Sequence, residues 1–129
     1  MVGIVKNSIV AKVFLMLNQS DVLGEINNIL SEQNYELMEA DGEIEDILTQ
    51  IHHFMPDVIL INSNLENCDY IIRQIKSVSK NQNAQIIMLL NNDISFDIMN
   101  MAEGFVELPL KKEVLLTTIN SHTKIKIWQ

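Results

Sequence analysis

Few side chains in this sequence could do chemistry, and the best placed of them is Asn62. It ends an apolar run, 58–61, Val-Ile-Leu-Ile, entered from Met55-Pro56 and followed by Ser63, Asn64 and Glu66. Such a run reads as a strand buried on both faces, as a central strand of a parallel sheet must be. Open α/β sheets hold their ligands at the polar loop beyond that kind of strand. Asn62 therefore occupies a site position. Its carboxamide, however, is a poor nucleophile and a neutral, weak metal ligand.

The other candidates each have a plainer explanation. His52-His53 could bind a metal or respond to pH, but adjacent helical residues point about 100° apart and do not naturally share a ligand. A solvated helix end explains them more simply. Asp93 and Asp97 are four apart and could share a helix face, although Asp93 also suits a helix cap. Glu43, Glu45 and Asp46 read as a solvated face favourable to the first turn of a helix. Met88, Met99 and Met101 read as core filler rather than as a soft-metal site. Cys68 is the sole cysteine, so neither a disulfide nor a thiolate metal site can be built within the chain, and a reduced, cytoplasmic setting fits.

Composition narrows the function classes further. At 129 residues, 47% of them hydrophobic, with 4 glycines and 2 prolines, the chain reads as one folded domain with a substantial core. Nine Lys and Arg against 17 Asp and Glu give a net charge of −8, which repels phosphate backbones and argues against nucleic-acid binding. No apolar run approaches the ~18 residues of a membrane span. The opening MVGIVKNSIVAK makes a poor signal peptide.

The elements that must position these residues alternate in period. Residues 12–17 form a short apolar strand; Ser20 suits a helix cap, and Val22, Leu23, Ile26, Ile29 and Leu30 share a helical face. A second strand, 35–40, turns at Asp41-Gly42 into a helix carrying Ile44, Ile47, Leu48 and Ile51. After the central strand, Ile71, Ile72, Ile75 and Val78 mark a third helix, and 85–90, QIIMLL, a second buried strand. A short, weak helix falls within 91–102, and a last strand at 104–108. A final helix from Lys111 or Lys112 places Val114, Leu115, Thr118, Ile119 and His122 on its apolar side. Five β-α repeats with short connections imply right-handed crossovers and a doubly wound, five-stranded parallel sheet of flavodoxin-like type.

Four pieces of the chain, in order, resemble the receiver domain of the two-component response-regulator family. KVFLMLNQSDV is similar to its first strand and acidic loop, and YELMEADGEIEDIL to its second strand and helix. PDVILIN is similar to the strand ending in the phosphorylated aspartate, and AEGFVELPL to the segment ending in a lysine-proline pair. The resemblance covers about residues 12–121, with 1–11 as an N-terminal extension and 122–129 as a tail.

In that register the phosphoryl acceptor falls on Asn62, and the magnesium-binding acidic pair on Leu17 and Asn18. One residue of slack would make the pair Asn18 and Gln19, still without a carboxylate. The hydroxyl residue falls on Leu90 and the lysine on Leu108. The interval 62 − 18 = 44 agrees with the family's. Acyl phosphate formation needs a carboxylate, and Mg²⁺ prefers anionic oxygens. Losing every one of these groups together implies a degenerate pseudo-receiver, with no enzyme activity, metal or cofactor. Leu17, Leu90 and Leu108 are expected to converge around Asn62 and fill the vacated space.

From Leu90 to Leu108 there are 108 − 90 = 18 steps, about four fewer than the family shows, which removes about one turn from the fourth helix. Phe96, Ile98 and Met99 on that helix are the expected interaction face. The family's switch aromatic falls on Phe105, which lacks a tyrosine hydroxyl and is expected to pack inward. The resemblance implies a protein partner, a histidine kinase or another regulator, with a homodimer as a further option and no membrane contact. Two other classes stay open: a flavodoxin-like domain binding a small molecule or cofactor, and a purely structural oligomerisation module. Against the first, the loop NQSD offers only Ser20 for a flavin phosphate, and Cys68 lies beyond the strand-end loop.

Overall fold

In a computed structural model, the chain is described over residues 11–17, 20–78, 83–91 and 96–123. Strands and helices alternate: β1 (Lys12–Met16), α1 (Ser20–Ser31), β2 (Glu36–Glu39), α2 (Ile44–Phe54), β3 (Val58–Asn62), α3 (Cys68–Ser77), β4 (Gln85–Leu90), α4 (Phe96–Met99), β5 (Gly104–Glu107) and α5 (Lys112–Thr123). The strands form one sheet in the order β2-β1-β3-β4-β5, every neighbouring pair parallel. This is the doubly wound α/β arrangement expected from the alternating periods. Its strand order reverses between β1 and β3, where such sheets place their ligands. No helix among the described residues is long and apolar enough to cross a membrane.

Side-chain alternation along the strands sorts the core into two layers. Val13 and Leu15 of β1, Val58 and Leu60 of β3, Ile87 and Leu89 of β4 and Val106 of β5 pack with Ile26 and Leu30 of α1 and Leu115 and Ile119 of α5. The intervening residues, Phe14, Met16, Ile59, Ile61, Ile86 and Met88, pack with Ile51 of α2 and Ile72 and Ile75 of α3. Every residue of β3 is buried, as its unbroken apolar run requires.

Two local details, at Val114 and Asp46, differ from the sequence expectations. Val114 does not join the inward stripe of α5 but is 43% exposed. It lies about 100° round the helix from Leu115, which takes the inward position. The helix expected within 91–102 is described only as the single turn Phe96–Met99, and Asp93 lies outside the described residues. Asp46 is more than a solvated charge: the Glu43 backbone N–H donates to Asp46 Oδ2 at 3.1 Å, satisfying a free donor at the start of α2. The chain reaches that cap through Gly42 at φ +96°, a backbone conformation that glycine adopts without strain. His52 and His53 are exposed in the last turn of α2, as a solvated helix end would have them.

Removing the cap isolates its contribution. Asp46→Ala is expected to lower stability by about 1 kcal/mol, read from the midpoint of urea unfolding. An unchanged midpoint would mean that solvent serves the Glu43 N–H equally well.

Candidate functional site

Asn62 is the last residue of β3, only 4% exposed and the only buried polar residue among those described. It lies at the carboxyl end of the strand flanked by β1 and β4, beside the reversal in strand order. Buried amides need partners, and the loop supplies one internally. Asn62 Oδ1 accepts the Asn64 backbone N–H at 3.1 Å, and Asn62 O accepts the Leu65 N–H at 3.1 Å. Ser63 N–H donates to Leu89 O at 2.9 Å, and the Asn91 N–H donates to Ser63 Oγ at 3.2 Å. The Ser63–Asn91 bond thus joins the loops after β3 and β4.

The three leucines expected around Asn62 divide between the layers. By parity with Val58 and Leu60, the Asn62 side chain emerges on the α1/α5 face of the sheet. Leu17 and Leu108 are partly buried in that same layer, and the Leu108–Pro109 peptide is cis. Leu90 follows Ile86 and Met88 to the opposite face and packs with the α2/α3 layer. The expected convergence of all three is therefore corrected: a side chain at the end of β4 two residues past Met88 cannot reach the other face. Asn18 and Gln19, where the register puts the rest of the acidic pair, lie outside the described residues.

Leu90 instead lines an open groove of about 440 Å³ together with Met99, Phe105, Glu107, Lys111 and Val114. This groove lies beside β5, the edge strand, between the end of α4 and the start of α5. Phe105 was expected to pack inward, yet it is 38% exposed. Gly104 and Val106 take the positions facing α5, so Phe105 and Glu107 point to the opposite face, the side of α4. Ile98 is partly buried against the α2/α3 layer, while Met99 faces the groove. The side chain of Phe96 lies outside what is described. Sequence reasoning missed Glu107, Lys111 and Val114 as groove residues; Val114 beside Leu115 carried only the weak signal of a second apolar residue off the helix stripe.

Other candidate chemistry is muted. Cys68 is 3% exposed at the start of α3, and burial, with Asp69 beside it, pushes its thiol up to about 11. A thiol so protonated is a poor nucleophile at neutral pH. Among the described residues, no cluster of three His, Cys, Asp or Glu side chains could hold a metal.

No protein-family model and no curated protein matches this chain. Solved structures do. The chemotaxis protein CheY4 of Vibrio cholerae superposes with a TM-score of 0.73 at 20% identity, covering 89% of this chain and 99% of that one. The receiver domain of a Pseudomonas aeruginosa sensor histidine kinase, determined with magnesium in its active-site cleft, gives 0.76 at 15% identity over 88% and 97%. NtrX of Brucella abortus, in complex with ATP, gives 0.74 at 16% over 90% of this chain and 27% of its own length. The fold is that of receiver domains.

The packing of Leu108 predicts the effect of placing a lysine there. Burying a whole leucine is worth about 1.5–3 kcal/mol, so Leu108→Lys at this partly buried position should cost about 1 kcal/mol and lower the thermal midpoint. A neutral or stabilising outcome would place the side chain in solvent.

Proposed function

We propose that this chain is a pseudo-receiver, a domain that acts in two-component-type signalling through protein contact and without phosphoryl transfer. The observation that carries this reading is Asn62, a buried carboxamide at the strand end where the receiver fold presents its acceptor, with Oδ1 committed to the Asn64 N–H. The residues at the other functional positions, Leu17, Asn18, Leu90 and Leu108, agree with it, since none carries a carboxylate, hydroxyl or ammonium group. An acyl phosphate needs a carboxylate to form on. A magnesium ion needs anionic oxygens to hold it. The reading therefore assigns the site no enzymatic step.

Acetyl phosphate with Mg²⁺, or beryllium fluoride with Mg²⁺, should leave the intact mass and the amide spectrum unchanged. Asn62→Asp alone should be equally silent, because it restores the nucleophile and not the metal ligands. A covalent phosphate in the Asn62 loop, or saturable Mg²⁺ binding there, overturns the proposal.

The groove beside β5 is the contact surface in this reading. Its floor of Leu90, Met99, Phe105 and Val114 is apolar, and Glu107 and Lys111 at its margin offer one charge of each sign. An apolar centre with a polar rim is the usual anatomy of a protein contact. A histidine kinase, another regulator or a second copy of this chain would meet it there, and the contact is constitutive because nothing at Asn62 switches it. Phe105→Asp should weaken self-association or partner binding at least tenfold by sedimentation, the scale of a truncated contact aromatic, with circular dichroism unchanged. Loss of the fold would make Phe105 a core residue; wild-type association would place the contact face elsewhere.

A further inference from the structure

The two charged side chains of the groove beside β5 differ from their neighbours in having no partner. Glu103, one residue ahead of β5, commits its carboxylate to Lys76 at 2.7 Å and to the Ile86 N–H at 2.7 Å. Lys112, next to Lys111, pairs with Glu32 at 4.0 Å. Among the described residues, the Glu107 carboxylate and the Lys111 ammonium join no ion pair or side-chain hydrogen bond, with each other or with any other group. Both side chains are exposed, and both line the groove.

The apolar surface is uncovered in the same place. Phe105 is 38% exposed and Val114 43%, two of the four exposed large apolar side chains among the described residues. Leu90 and Met99 complete the floor. An accessible aromatic ring beside an unbranched, adaptable methionine suits a compact apolar group. The volume of about 440 Å³ falls within the range of small-molecule sites, about 300–1,000 Å³. Opposite charges set the other end of the ligand: Glu107 calls for an ammonium group and Lys111 for a carboxylate. α5 begins at Lys112, so the positive end of its dipole lies on the carboxylate's side.

We infer that the groove is a binding site for a free amino acid with a large apolar side chain. Its zwitterionic head lies between Glu107 and Lys111, and its side chain lies against Leu90, Met99, Phe105 and Val114. A ligand charged with one sign only is attracted by one of the two side chains and repelled by the other. A small polar zwitterion leaves the apolar floor in water. The net charge of −8 does not select against a ligand whose own net charge is zero. This site goes beyond the protein-contact reading and does not rest on it, because the chain binds the ligand alone.

The probe is L-phenylalanine, followed through the backbone amide resonances of Phe105, Glu107 and Val114. These should shift saturably, and glycine at the same concentrations should leave them in place. On the wild type, N-acetyl-L-phenylalanine, which lacks the ammonium, and L-phenylalanine amide, which lacks the carboxylate, should each bind about threefold more weakly, the scale of one exposed ion pair. Substitutions in the protein should match these losses. Glu107→Gln is expected to weaken L-phenylalanine and its amide about threefold but not the N-acetyl compound. Lys111→Gln is expected to weaken L-phenylalanine and the N-acetyl compound but not the amide. Both positions are exposed, so the ligand-free spectra should otherwise match wild type. The absence of a saturable shift with L-phenylalanine, an equal response to glycine, or affinities indifferent to both substitutions overturns the site. Association of the Phe105→Asp variant is measured without ligand, so either reading can fail while the other stands.

Discussion

Everything in this molecule hangs on the complete burial of β3. Its five residues, Val58–Asn62, are covered on both faces by helices and flanked on both edges by β1 and β4. No other strand among the described residues is buried along its entire length, and the side chains of this one seed both core layers, Val58 and Leu60 on one side, Ile59 and Ile61 on the other. Any polar residue ending such a strand faces a narrow choice between a ligand and an internal partner. Asn62 takes the internal partner, and the loop beyond it folds back to provide one.

The same alternation governs what surrounds Asn62. Two-residue periodicity is a rigid sorting rule: a side chain cannot change face without a bulge. It sends Leu17 and Leu108 toward the α1/α5 layer and Leu90 away from it. One apolar group thus leaves the neighbourhood of the strand end and contributes to the groove. Phe105 follows the same rule at the edge of the sheet. With Gly104 and Val106 facing α5, the aromatic has to lie on the opposite face, beside α4. The closed strand end and the open groove are two consequences of one geometry.

Tertiary hydrogen bonds hold the opposite end of the sheet with comparable economy. Glu103 joins α3 to the start of β4 through its carboxylate and meets α5 through its carbonyl. At that junction the seat for the His122 ring and the absence of a Cβ at Gly104 are a single requirement. At the start of α5, Lys111 and Val114 line the groove.

The amino-acid sequence by itself determined the element order, the parallel sheet and the place of Asn62 at the end of its central strand. Each rests on a local pattern: unbroken apolar runs at 58–61 and 85–90, three-and-four spacing in the helices, and Pro56 and Pro109 as breaks. The identity of Asn62 was equally legible, because a carboxamide has the same chemistry in any fold. Tertiary structure decided which face each strand-end side chain occupies, since one residue of register inverts every assignment and short strands such as 104–107 carry little pattern to fix it. It also decided the partners of Asp46, His122 and Glu103. Their bonds join residues brought together by crossovers, or by a turn around Gly42, and side-chain type alone does not name a partner. The outward Phe105 and Val114 belong with these, because exposure is a property of what fails to cover a residue, and only the assembled layers show that.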